Sequence, residues 1–125
     1  MSMSDYLENK VLDGTVGNVT YTAPTSIYMA LYSVAPTDST SGTELVGNGY
    51  SRQLVPFSTA AANGQIQNTA NVTFTASGNA WSVAGAALTD ASTSGNILYL
   101  STQSRNVTAG ASLTYLTGKI TLIIN

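Results

Sequence analysis

The chain has 125 residues, of which four are basic and six acidic, a formal net charge of –2, and neither histidine nor cysteine. Histidine is the side chain that titrates near neutrality, and cysteine is the usual thiol nucleophile and a common zinc ligand. General acid–base and nucleophilic chemistry would therefore fall to a handful of carboxylates and lysines, so the composition points away from an enzyme and toward a protein that works by surface fit, with no cofactor expected.

Lys10, Arg52, Arg105 and Lys119 are scattered, whereas a nucleic-acid binder gathers its basic residues into a patch or stripe. No apolar run approaches the roughly 18 residues of a membrane-spanning helix. The opening Met-Ser-Met-Ser-Asp lacks the basic and apolar regions of a secretory leader. These features predict synthesis in a cytoplasm and neither nucleic acid nor membrane as partner. With 43% hydrophobic residues the chain can build one globular domain, here divided into an N-terminal helix and arm over 1–23 and a β-sandwich over 24–125.

One helix is predicted, at the N-terminus. Ser4 or Asp5 can cap it, and an Asp5 cap would place Glu8 at the reciprocal position of a capping box. Met3, Leu7 and Val11 recur every four residues with Leu12 beside them, an apolar stripe that must dock on the protein's own sheet or on a neighbouring subunit. Gly14 is expected to end the helix.

Everything after Gly14 reads as β structure. From Ile27 to Val34, Ile27, Met29 and Leu31 alternate with Tyr28, Ala30 and Tyr32, and both sets are partly apolar, as in a strand covered on both sides. Ala35 to Gly49 is a long polar loop of the kind that carries function. Tyr50 to Phe57 reads as a second strand, interrupted near its end by Pro56. A short strand at Ile66 precedes Asn71 to Thr75, where Val72 and Phe74 point inward. Trp81 to Leu88 should place Trp81, Val83, Gly85 and Ala87 on one face, and its small residues permit close approach of another backbone. Ile97 to Ser101, Val107, Leu113 to Leu116 and Lys119 to Ile124 complete about eight strands. Turns every 8–12 residues make the expected fold all-β, an antiparallel sandwich of jelly-roll-like kind with one short N-terminal helix.

The candidate contact residues follow from this layout. Met3, Leu7 and Val11 form the apolar stripe of the arm. Tyr28, Tyr32 and Tyr50 offer large contact area at low entropic cost. Asp38 and Glu44 lie in the long loop, where a partner contact is favoured over calcium binding because their spacing matches no calcium-loop pattern. Arg52, isolated among so few charges, needs a carboxylate or carbonyl partner and is expected to tether either strands or subunits. Trp81 is assigned to the core. The three Asn-Val-Thr triplets at Asn18, Asn71 and Asn106 are chance products of the composition.

Several stretches resemble a family of short virion proteins encoded by tailed bacteriophages, including cyanophages. They are Ser4 to Asp13, Tyr21-Thr-Ala-Pro, Ile27-Tyr-Met-Ala-Leu-Tyr, Ala35-Pro-Thr-Asp38, Gly42-Thr-Glu44 and Gly47-Asn-Gly-Tyr-Ser-Arg-Gln53, followed by Val72 to Ala76 with Trp81 and Gly95 to Tyr99. The resemblance implies a compact β-sandwich serving as a structural virion component. The favoured expectation is a capsid decoration (cement) protein, a homotrimer on the outer shell that binds the major capsid protein through the arm and the 35–49 loop and stabilises the mature capsid. The alternative is a tail-fibre or baseplate component that contacts a receptor.

Overall fold

The computed structural model describes residues 1–58 and 61–123. The chain begins with a two-residue strand, β1 (Ser2–Met3), and then forms α1 (Asp5–Thr15). Ser4 is the N-cap: its Oγ accepts from the Leu7 N–H at 3.2 Å and donates to the Ile97 carbonyl at 2.6 Å. With Ser4 in that position the third helical residue is Leu7, so Glu8 is not the reciprocal partner that an Asp5 cap would have provided. The helix passes Gly14 and is closed by the N–H groups of Val16 and Gly17, which both donate to the Leu12 carbonyl.

The strands that follow are β2 (Tyr28–Val34), β3 (Thr43–Glu44), β4 (Gln53–Leu54), β5 (Gln65–Gln67), β6 (Val72–Thr75), β7 (Trp81–Thr89), β8 (Ile97–Val107), β9 (Ser112–Tyr115) and β10 (Thr121–Ile123). All pairings are antiparallel. The main sheet runs β1-β8-β7-β2-β3, and β4 pairs with the same edge of β2 as β3 does, at Tyr28 and Met29. Two smaller pairs, β5 with β10 and β6 with β9, form the second layer. The expected Tyr50 to Phe57 strand is reduced to Gln53 and Leu54, with an isolated bridge at Phe57. The expected last strand, Lys119 to Ile124, is present over Thr121–Ile123, and Ile124 lies outside the described residues.

One face of the main sheet packs on the second layer. Met29, Leu31, Trp81, Val83, Ala86 and Leu88 meet Val72, Phe74, Ile120 and Leu122 there, with Ile27 against their margin. Phe74 is 1% exposed, and its ring meets Tyr50 (6.3 Å, stacked) and Tyr115 (6.4 Å, edge-on). As predicted, Val72 and Phe74 point inward, while their neighbours face out as the hydroxyl pairs Thr73–Thr114 and Thr75–Ser112. Asn68 is 1% exposed and stitches the second layer: its amide donates to the carbonyls of Ala70 and Leu116 and accepts from the Ile120 N–H. Trp81 is core, with its indole N–H donating to the Asn48 carbonyl.

The opposite face carries Ala30, Tyr32, Ala87 and Leu100, bordered by Ile97. Residues 28–32 thus alternate between the two faces as predicted. In β7 the alternation slips. A bulge between Val83 and Gly85 shifts the register, so Ala86 and Leu88 join Trp81 and Val83 while Ala87 turns to the other side. The expected grouping of Gly85 and Ala87 with Trp81 fails because two residues of β7 there oppose three of β8, and the shift moves the later β7 side chains to the other face. Gly85 is required by proximity, since a Cβ there would lie 2.8 Å from the Ala35 Cβ.

Candidate functional site

The strongest concentration of polar chemistry lies where the 35–52 segment folds back along β2. Glu44, in β3, stands opposite Tyr32 of β2. Arg52 precedes β4 and reaches the same carboxylate: its Nε and Nη2 donate to the two Glu44 oxygens at 2.9 and 2.8 Å, a bidentate pair. The Tyr50 hydroxyl donates to Glu44 as well and accepts from the Leu31 N–H at 3.1 Å. That amide faces the gap between β3 and β4, so a side chain completes the ladder where no strand continues.

Arg52 also fixes a second loop. Its Nη1 donates to Thr89 Oγ1 (3.2 Å) and to the carbonyls of Ala91 (2.8 Å) and Ser94 (2.7 Å). Thr89 Oγ1 lies within hydrogen-bonding distance of the Tyr28 and Ala91 carbonyls. Within that loop the Asp90 carboxylate accepts from the Asn96 backbone and side-chain amides. The Arg52 side chain is 8% exposed and that of Glu44 28%. Burial alone would raise the Glu44 pKa, but hydrogen bonds from Arg52 and Tyr50 outweigh it and hold the carboxyl below its ordinary range. The bond to Glu44 raises Arg52 in turn. Tyr50 is pushed well above the usual phenol range, first by burial and then by its bond to Glu44.

Of the expected contact residues, the fold brings Tyr32, Glu44, Tyr50 and Arg52 together and leaves the others apart. Arg52 is a tether within one chain, between β3 and the 89–94 loop. Tyr28 lies at the far end of β2, opposite Leu54 and Thr89. Asp38 is exposed and touches the arm through its carbonyl, which accepts from the Asp5 N–H at 3.0 Å. The arm stripe requires correction. Met3 is not helical but pairs with Tyr99 in the main sheet. Leu7 is 6% exposed on a helix packed against β8, so its side chain is used in the protein's own fold. The outward apolar surface of the arm consists instead of Val11, Leu12, Val16 and Val19, which are 39%, 58%, 82% and 53% exposed. Sequence reasoning missed Thr89, Ala91 and Ser94, because two of them enter through backbone carbonyls, which any residue type supplies.

Two joined clefts flank the cluster. One, of about 250 Å³, is lined by Tyr32, Glu44 and Arg52 with Ser41, Gly42, Ser94, Gly95 and Ile97. It shares Ser41, Gly95 and Ile97 with a second, of about 310 Å³, which extends past Asp38 to Ser4 and Tyr6. Among the described residues, no three acidic side chains converge to hold a metal ion.

The family model described as podophage GP4 fiber I protein gp80 matches residues 2–123. No curated protein matches the chain. The match covers the arm, the long loop and both layers of the sandwich, so this chain belongs to the podophage gp80 fibre-protein family and is a structural protein of a phage virion.

Proposed function

We propose that the protein is a component of the phage fibre or tail apparatus, a preformed β-sandwich that joins other virion proteins by surface fit. One observation carries this reading beyond the family description. The main polar cluster of the described residues is closed on itself: both Glu44 oxygens are occupied, and Arg52 is spread over Glu44, Thr89, Ala91 and Ser94. Such a cluster fixes loops in place and has no free nucleophile or base to offer a substrate. The exposed Val11, Leu12, Val16 and Val19 give the arm an apolar surface suited to a protein neighbour.

Capsid decoration is the second reading, and the same arm surface supports it. There the protein would sit on the shell as a homotrimer against the major capsid protein, each modest contact reinforced by the others. Copy number separates the two. Quantitative mass spectrometry of purified virions, scaled to the major capsid protein, should give a small fraction of the shell's copy number for a fibre component. A value approaching that of the shell subunit would favour decoration, and absence from finished particles would end both readings.

A further inference from the structure

We propose that the open edge of β8, from Ser101 to Val107, takes up an extended segment of another virion protein as an added antiparallel strand, one that carries a carboxylate among alternating apolar residues. β8 is the longest described strand, and β7 accompanies it from Ile97 to Val107. On its other side β1 pairs only at Tyr99 and Leu100, and the Ser4 N–H reaches the Leu98 carbonyl. Beyond Leu100 no described strand lies on that side. Backbone N–H and C=O groups along such an edge are a template for a further strand.

A slot beside the edge defines the side chains that the segment brings. Tyr99 and Val107 belong to the inner core, Ser101 and Gln103 lie on the same side, and Thr102, Ser104 and Asn106 alternate with them and are exposed. On the inner side a cavity of about 220 Å³ opens between the two layers, lined by Ser101 and Gln103 with Met1, Met29, Tyr115 and Ile120. The Tyr115 hydroxyl donates to Gln103 Oε1 at 2.7 Å, which fixes the slot before anything enters it. An added strand sets every second side chain over this slot. Apolar residues suit those positions, and polar ones suit the positions beside Thr102, Ser104 and Asn106.

Charge narrows the partner further. By the same alternation Arg105 stands on the inner side of the edge, and Lys119 lines the slot. Both are exposed, and neither forms an ion pair with a described residue. A charge turned inward on an edge deters indiscriminate pairing, and a strand that brings the opposite charge escapes the penalty. A second copy of this chain does not bring it. Glu44 is the one acid in any described strand, and Arg52 holds both of its oxygens. β8 against β8 would add arginine to arginine. The occupant is therefore a different protein, an inference that deepens the reading of this chain as a joint between virion proteins and rests on it.

The test is NMR titration of the ¹⁵N-labelled whole protein with the peptide acetyl-Val-Thr-Glu-Thr-Val-Thr-Val-amide, whose glutamate falls opposite Arg105 when it runs antiparallel to residues 101–107. Amides from Ser101 to Val107 should shift, with affinity on the order of millimolar or tighter. N-methylation of the peptide at alternate residues should abolish binding in one frame and spare it in the other, as strand pairing requires. Arg105→Glu, a change at an exposed position, should fold as the wild type does and weaken binding about five-fold, and a lysine in place of the peptide glutamate should restore it. In purified virions, carbodiimide coupling read by mass spectrometry should join Lys119 to an aspartate or glutamate of another virion protein. No shift along β8 would overturn the proposal, as would binding indifferent to the methylation frame or undiminished binding by Arg105→Glu. Lys119 coupled to nothing, or only to further copies of this chain, would do the same. The broader reading survives those results and falls only if the protein is missing from finished particles.

Discussion

The two faces of the main sheet are stabilised by different means. The inner face buries Met29, Leu31, Leu88 and Trp81 against Phe74 and Leu122 of the second layer, and large apolar side chains fill the space. The outer face carries Ala30 and Ala87, both fully buried, beside Tyr32 and Leu100, and is bordered by an arm and two loops held by hydrogen bonds. Burial of large side chains scales with area and leaves few gaps. Loops held by an arginine and two glycines instead leave clefts. The inner face supplies most of the stability, and the outer face supplies shape.

This contrast can be broken first on the inner side. Phe74→Ala removes a ring that touches both Tyr50 and Tyr115 and should cost about 3–5 kcal/mol, read as a lower urea midpoint with little change in slope. A loss under about 1 kcal/mol would mean that the second layer adds little to the core.

Next comes the outer clamp. Arg52→Met should cost about 2 kcal/mol, less than a fully buried pair would, because 28% of the Glu44 side chain meets solvent. The pH dependence carries the sign. Glu44 has a depressed folded pKa, so the pair's contribution is complete above the ordinary carboxylate value of about 4.3 and is lost as pH falls through the lower folded value. Urea unfolding of both proteins at several pH values should show their difference full at neutrality and shrinking in acid. A difference independent of pH would show that Arg52 acts by packing alone.

The smallest effect is expected at the arm. Ser4→Ala removes the cap on Leu7 and the bond to Ile97 and should cost about 1 kcal/mol. Hydrogen exchange should rise mainly in α1, and uniform loss of protection throughout the sheet would make the arm part of the core rather than an attachment to it.

Where side chains repeat with a simple period, the fold was legible in the sequence. Residues 28–32 and 72–75 alternate cleanly, and their inward and outward sets are those expected. The β7 register was not legible beyond Val83, since the shift between Val83 and Gly85 is set by pairing with β8, some twenty residues further along the chain, and leaves no mark in the local alternation. The arm misled for a similar reason. A four-residue repeat from Met3 suited a helix, but pairing with Tyr99 drew Met3 into the sheet, and Ser4 began the helix after it. Arg52 declared its need for a partner through its isolation, and Glu44 was visible as a nearby acid. The carbonyls of Ala91 and Ser94 had no signature, because every residue carries one.

The Tyr50 hydroxyl has a consequence for assembly. Between β3 and β4 it occupies the Leu31 amide that would otherwise face outward without a strand to receive it. Vacant amides of that kind invite neighbouring chains to add themselves as extra strands. Plugging that opening with a phenol closes the one place on this edge of β2 where a foreign strand could start to pair.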